Sequence, residues 1–119
     1  GADIAEHLAP IIDEPVVIKH EIDSFTHTEL EQILIERGIE KLIIVGAMAQ
    51  ACVQTICRTA THKGFACEVI SDAIAAPTLA YQNDTFSGAQ LVAANLLSLS
   101  FGGAEISTAQ EFINADNAE

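Results

Sequence analysis

Basic residues are scarce in this sequence of 119 residues, which has 5 lysines and arginines against 17 aspartates and glutamates. The net charge of −12 repels phosphate backbones and argues against nucleic-acid binding. No apolar run approaches the roughly 20 residues of a membrane span, and no signal-peptide pattern is visible. The three cysteines form no CxxC or Cys/His clip, so neither a disulfide scaffold nor a zinc site is expected. We therefore expect a protein of the reducing cytoplasm that does not bind membranes.

Hydrophobic residues, in contrast, make up 50% of the chain and charged residues only 18%. This balance predicts a folded chain rather than a disordered one. A length of 119 residues is enough for one domain with a modest core, and no linker or repeat divides the chain. We predict a single domain over residues 1–119.

Strand-like and helix-like patterns alternate along the chain, and the alternation β-α-β-α-β-α-β-α predicts a parallel sheet with helices on both faces. Residues 73–84 fit neither pattern and are read as loose structure. A single helical turn is predicted within residues 3–9. The predicted strands are 16–18, 41–46, 66–70 and 105–106, and the predicted helices are 28–37, 50–63, 85–100 and about 108–114.

The predicted helix 85–100 is apolar around nearly its whole circumference. Such a helix is either buried in the centre of the protein or packed by its second face against a partner subunit. Both interpretations stay open at this point. The second predicts a homodimer or higher homo-oligomer through this helix.

Candidate site residues follow from the rule that an open parallel sheet binds ligands beyond the carboxyl ends of its strands. The rule selects Lys19, the segment 46–52 and Asp72. Cys52 begins a helix directly after a buried strand, where backbone N–H groups and a nearby ammonium favour the thiolate. This arrangement predicts a nucleophile, and the alternative is a small buried cysteine. For Lys19 the alternative is a strand-end lysine that reaches solvent.

The remaining polar and sulfur residues are better explained by structural roles. Asp72 is expected to cap or fix the loop after its strand rather than to take part in catalysis. Cys57 falls on the apolar stripe of its helix and Cys67 lies within an apolar strand, so both are expected in the core.

The segment from Lys41 to Phe65, which contains Gly46, Cys52-Val53, Arg58-x-Ala60 and Gly64, resembles the core signature of the isochorismatase-like cysteine hydrolases. This family includes the nicotinamidase- and isochorismatase-related enzymes. The matching motifs outside the core are Val17-Ile18-Lys19 with Ser24-Phe25, Val69-Ile70-Ser71-Asp72-Ala73, and Ile106-Ser107-Thr108 with Glu111-Phe112.

The resemblance implies a three-layer α/β/α, Rossmann-like fold with a central parallel sheet and a Cys–Lys–Asp triad. Cys52 matches the nucleophile and Lys19 the triad lysine. The backbone N–H groups of Met48 and Cys52 match the oxyanion hole, and the Ala47–Met48 peptide matches a bond that is cis in many members. Phe25 and His27 are candidate substrate-pocket residues, and neither a metal nor a cofactor is expected.

The triad aspartate has no counterpart in this sequence. Family members carry it in an apolar-Asp-x-Gln motif near the N-terminus, whereas Asp3 and Asp13 follow no apolar strand. His27 also departs from the pattern, because members often have a small residue there. The chain therefore resembles the C-terminal two-thirds of a family domain without the N-terminal β-α-β portion, and a sheet lacking that portion exposes an edge and apolar surface.

Three functional hypotheses follow. The first is an amidohydrolase that acts on a small amide through a covalent acyl-enzyme. The second is a non-catalytic homologue that serves as an oligomeric binding module. The third is an isochorismate-type hydrolase that cleaves a vinyl ether. That reaction needs no thiol nucleophile, so the presence of Cys52 favours the first hypothesis over the third.

Overall fold

A computed structural model describes residues 3–118 and contains a three-stranded sheet, a hairpin and four helices within them. None of these helices is long and apolar enough to cross a membrane. The strands are β1 (Lys41–Ala47), β2 (Ala66–Ala75), β3 (Leu79–Tyr81), β4 (Asp84–Phe86) and β5 (Glu105–Ser107), and the helices are α1 (Leu30–Glu36), α2 (Gln54–His62), α3 (Gly88–Phe101) and α4 (Ala109–Asn117).

The central sheet has the order β1-β2-β5, and both pairings are parallel. Ile44 lies opposite Val69, and Val69 lies opposite Ile106. Parallel neighbours need crossover connections, which α2 and α3 supply in turn. The prediction of an α/β fold with a central parallel sheet flanked by helices is confirmed.

Residues 16–18, predicted as a strand, form no strand. A β-branched run becomes a strand only when a neighbouring backbone satisfies its N–H and C=O groups, and no strand of the described chain lies beside this one. The segment 73–84 was predicted to be loose but contains the end of β2 and a hairpin of β3 with β4. The single turn predicted within residues 3–9 is present as a 3-10 turn at Glu6–Leu8.

The helix boundaries differ from the predictions by a few residues. Helix α1 begins at Leu30 rather than at Thr28, whose hydroxyl donates to the Ser24 carbonyl (2.6 Å) and accepts from the Leu30 N–H (3.3 Å). The long helix begins at Gly88 rather than Thr85, because Ser87 and Gln90 form a reciprocal capping box. The last helix extends to Asn117 and is capped at Thr108.

The core lies between the sheet and helices α2 and α3. Val69, Cys57 and Leu99 are its largest fully buried side chains. Polar contacts also join the two helices, since Arg58 donates to the Ser98 hydroxyl (2.8 Å) and Gln54 to the Asn95 carbonyl (3.1 Å). Helix α2 is thereby fixed against both the sheet and α3.

Three charged side chains connect the amino ends of the strands. Lys41 on β1 lies 2.6 Å from Glu68 on β2 and 2.5 Å from Glu105 on β5. Glu68 is only 8% exposed and also accepts from the Ser107 hydroxyl. Hydrogen bonds from Lys41 and Ser107 hold the pKa of the Glu68 carboxyl below its usual value, and the two carboxylates raise that of Lys41. The three strands are therefore tied together at the end opposite Cys52.

Strand β1 lies at an edge of the sheet, so one side of it carries no strand among residues 3–118. Ile43 is 41% and Val45 58% exposed, although both lie in an apolar run of the kind that is normally covered on both faces. The exposed edge expected from the sequence is present in this part of the chain.

Candidate active site

Cys52 lies beyond the carboxyl end of β1, in a single π-helical turn, Ala49–Val53, that leads into α2. The chain reaches this turn through Gly46, whose φ of +118° favours glycine, and through a cis peptide bond between Ala47 and Met48. The Met48 carbonyl then accepts from the N–H groups of Ala51 (3.1 Å) and Val53 (3.2 Å). Single π-helical turns are frequent at functional sites. This turn leaves the Cys52 thiol half-buried at the sheet edge.

The ammonium of Lys19 lies 3.3 Å from the Cys52 sulfur. Its Nζ also donates to the carbonyls of Glu21 (2.7 Å) and Ile22 (3.2 Å). An ammonium has three protons, so these three acceptors fix its position completely. The structure thus brings Lys19 and Cys52 together, as the carboxyl-edge rule predicted, although residues 16–18 form no strand and Asp72, which the rule also selected, does not line the cavity.

A cavity of about 350 Å³ opens beside this pair. Lys19, Ser24 and Cys52 supply its polar groups, and the rest of its lining is apolar. Leu30 and Leu34 of α1 line it together with most of β1, from Leu42 to Ala47. The cavity can therefore admit a small molecule to the thiol.

The two candidate pocket residues lie elsewhere. Phe25 is buried in the core, where its ring stacks on that of Phe65 with centroids 6.3 Å apart. His27 is exposed, and its φ of +54° is a conformation in which glycine is less strained than histidine. Neither lines the cavity, whereas Ser24, the residue before Phe25, does.

Asp72 accepts from the backbone N–H of Ala109 (2.8 Å) at the first turn of α4. A carboxylate at this position satisfies one of the free N–H groups of the helix. Asp72 thus fixes α4 to β2, the kind of structural role expected from the sequence.

Cys57 and Cys67 are both buried, and the Cys67 thiol donates to the Cys57 carbonyl (3.6 Å). Burial, together with the neighbouring Cys67, raises the pKa of the Cys57 thiol to about 12. Cys57 therefore stays a neutral thiol at physiological pH. Of the three cysteines, only Cys52 reaches the cavity.

No carboxylate contacts the Cys52 sulfur among residues 3–118, where Lys19 is its one hydrogen-bond partner. Asp23 is near in sequence to Lys19, but its oxygens accept from the Phe25 N–H and from the hydroxyls of Thr26 and Thr59. Across the same residues, no group of three or more histidines, cysteines, aspartates or glutamates is placed to hold a metal ion.

The fold and the Lys19–Cys52 pair define a class of α/β proteins with a thiol site at the carboxyl edge of a parallel sheet. Within that class, the chain belongs to the isochorismatase family, because the family model described as an isochorismatase domain matches residues 1–100.

Three relatives show how far the similarity extends. The isochorismatase family protein YddQ of Bacillus subtilis is 30% identical over 113 residues, which are 95% of this chain and 63% of YddQ. N-carbamoylsarcosine amidase from Arthrobacter is 38% identical over 64 residues, which are 54% of this chain and 24% of that enzyme. A crystal structure described as an isochorismatase hydrolase from Oleispira antarctica is 39% identical with a TM-score of 0.91, covering 96% of this chain and 60% of that one. The chain thus spans less than two thirds of these proteins.

Proposed function

We propose that the protein is a cysteine hydrolase of the amidohydrolase type, with Cys52 as nucleophile and Lys19 as the cation that favours its thiolate. The observation that carries the proposal is the 3.3 Å contact between the Lys19 ammonium and the Cys52 sulfur beside a cavity. The thiolate is the reactive form of cysteine, and a neighbouring lysine favours it. The similarity to N-carbamoylsarcosine amidase supports an amide as the bond that is broken.

In the proposed reaction, the Cys52 sulfur attacks the carbonyl carbon of a small amide and forms a C–S bond. Backbone N–H groups of Met48 and Cys52 hold the negative oxygen of the tetrahedral intermediate. The C–N bond then breaks, the amine leaves with a proton, and an acyl-thioester remains. Water adds to the thioester carbon and breaks the C–S bond, which releases the acid and returns the thiol.

A Cys–Lys–Asp triad assigns the proton transfers of both steps to a carboxylate acting as general base and acid. No residue among 3–118 contributes such a group at Cys52. This observation favours the competing proposal, a non-catalytic homologue that binds ligands without turnover. Reactivity of the thiol separates the two proposals.

Iodoacetamide at neutral pH is expected to label Cys52 at least ~10-fold faster than Cys57 or Cys67, because the thiolate is the species that reacts. Peptide mass spectrometry of the native protein, quenched at a series of times, measures all three rates in one sample. Equal and slow labelling of the three cysteines would contradict an activated nucleophile and favour the binding module. Labelling after unfolding in urea is the control, since all three thiols then react at similar rates.

We also propose that the chain forms a homo-oligomer through the outer face of α3. The structure buries only one face of this helix. Ala89, Ala93, Leu97 and Phe101 form an exposed stripe at four-residue spacing, with Leu97 60% and Phe101 87% exposed. No charged residue occurs in Gly88–Phe101. On a chain of net charge −12, an uncharged face is where a second copy meets the least repulsion.

Replacing Leu97 by glutamate is expected to convert the oligomer to a monomer, because it places a charge on each copy within the interface. Light scattering coupled to size-exclusion chromatography gives the mass. The matched control is Ile113→Glu on α4, where a half-exposed isoleucine lies outside the stripe, and it should leave the mass unchanged. A monomeric parent protein, or an oligomer that survives Leu97→Glu, contradicts the proposal.

The three free thiols further support a proposed location in a reducing compartment such as the cytoplasm.

A further inference from the structure

Asp23 connects the loop that follows Lys19 to helix α2. Its Oδ1 accepts from the Phe25 N–H (3.0 Å), which is an Asx-type contact within the loop. Its Oδ2 accepts from the hydroxyl of Thr59 on α2 (3.0 Å) and, at 3.4 Å, from that of Thr26. Asp23 and Thr59 are both half-buried, so water competes less for this contact than at an open surface.

The same loop determines where the Lys19 ammonium can lie. Two of the three acceptors of Nζ are the carbonyls of Glu21 and Ile22, the two residues before Asp23. The third acceptor is the Cys52 sulfur, in the turn that leads into α2. Thr59 lies seven residues after Cys52, about two helical turns along the chain. Two hydrogen bonds therefore connect this loop to α2 and the turn before it. Lys19 bonds to Cys52 in the turn, and Thr59 on α2 bonds to Asp23.

We propose that Asp23 and Thr59 are positioning residues, which hold the Glu21 and Ile22 carbonyls, and through them Lys19, at a fixed distance from the Cys52 sulfur. This inference rests on the proposed function, since it assigns the two residues a role in activating the same thiol. Neither residue contacts the thiol or lines the cavity. They act by holding the loop against α2.

The geometry explains why a second connection is needed. Lys19 has a long, flexible side chain, and residues 16–18 before it belong to no strand. Its three contacts hold the ammonium beside the sulfur only if the backbone that supplies the Glu21 and Ile22 carbonyls is itself fixed, because the loss of rotamer freedom opposes an ordered lysine. Asp23 lies four residues after Lys19 and anchors the far side of the loop through its contact with Thr59 on α2.

The test compares three isosteric or conservative variants of threonines on α2. Thr59→Val removes the hydroxyl with almost no change of shape, and Thr59→Ser keeps it. Thr61→Val is the matched control, since its hydroxyl donates to the Cys57 carbonyl of the same helix (2.8 Å) and does not reach the loop. Asp23→Ala is a fourth variant, which removes the acceptor of the contact instead of the donor.

The readout is the rate at which iodoacetamide labels Cys52 as a function of pH, which a merely structural role would not move. Thr59→Val is expected to slow labelling at neutral pH by about five-fold and to move the labelling curve to higher pH, because the ammonium no longer stays beside the sulfur. Asp23→Ala should act in the same direction. Thr59→Ser and Thr61→Val should stay within about two-fold of the parent protein.

The outcomes separate this inference from the proposed function when Lys19→Met is measured alongside. If Lys19→Met slows Cys52 labelling and Thr59→Val and Asp23→Ala do not, the positioning role is rejected and the activated thiol remains. If Lys19→Met also has no effect, both proposals are rejected together. An equal slowing by Thr59→Val and Thr61→Val would show general damage to α2 and would likewise overturn the positioning role.

Discussion

Replacing Cys52 by alanine is expected to abolish amide hydrolysis by the purified protein, with a loss of at least ~10³-fold in kcat, because no acyl-enzyme can form without the nucleophile. Release of ammonia from a panel of small amides, with N-carbamoylsarcosine among them, measures the activity. Cys52→Ser tests the same point more narrowly, because a serine hydroxyl at this position lacks the acidity of a thiol and should be nearly as inactive.

A matched control shows whether loss of any cysteine has the same effect. Cys67→Ala removes a thiol from the core, and its folded fraction should keep the parent turnover because Cys67 does not reach the cavity. Retained turnover in Cys52→Ala would reject the thiol mechanism. A slowly hydrolysed amide should also increase the intact mass of the parent protein by its acyl group, and leave the mass of Cys52→Ala unchanged.

The second large effect is expected at Gly88, the first residue of α3, where alanine should lower the free energy of unfolding by about 3 kcal/mol. A Cβ built on Gly88 would overlap the carbonyl oxygen of Ala76 and lie 3.2 Å from its carbonyl carbon. Both are backbone atoms at the end of β2, so no side chain can rotate away. Alanine gains about 1 kcal/mol in helix propensity over glycine, which is too little to offset this overlap.

Urea unfolding followed by circular dichroism measures the loss, which should also appear as a melting temperature lower by roughly 10 °C. Gly102→Ala is the matched control at the other end of the same helix. A Cβ there lies 3.3 Å from its nearest neighbour, the Leu99 carbonyl oxygen, and φ is −81°. Its effect should stay within about 1 kcal/mol. Equal stability of Gly88→Ala and the parent protein would mean that Gly88 does not pack against the Ala76 carbonyl.

Apolar residues in the sequence were enough to predict most of β1 and residues 66–70 of β2. Gly38 and Gly64 follow α1 and α2, and both have the positive φ that is typical of a glycine just after a helix. Prediction failed where two local motifs compete. Thr28 has the pattern of a capping box, but its hydroxyl bonds to the Ser24 carbonyl and the Leu30 N–H, and α3 begins at Gly88 after the N-cap Ser87 rather than at Thr85.

At the site, the sequence predicted Lys19 and Cys52 but not the contact between Asp23 and Thr59, which we propose holds Lys19 in place. The rule that ligands bind beyond the carboxyl ends of parallel strands selected both Lys19 and Cys52, and the two side chains meet although residues 16–18 before Lys19 form no strand. The contact of Asp23 with Thr59 joins residues 36 positions apart, and neither has a sequence signal, since threonine in a helix and aspartate in a loop are both ordinary. Phe25 could not be assigned to the core rather than to the pocket, because hydrophobicity alone predicts either location.

The free side of β1 also affects how the chain behaves at high concentration. Unpaired backbone groups on an exposed, apolar edge strand form a template for edge-to-edge aggregation, which proteins commonly suppress with a charged gatekeeper residue. The one charged residue in Lys41–Ala47 is Lys41, at the start of the strand and already engaged by Glu68 and Glu105. The strand that leads to Cys52 is therefore also prone to edge-to-edge aggregation, and a segment placed over it would protect both the solubility of the chain and the lining of the cavity.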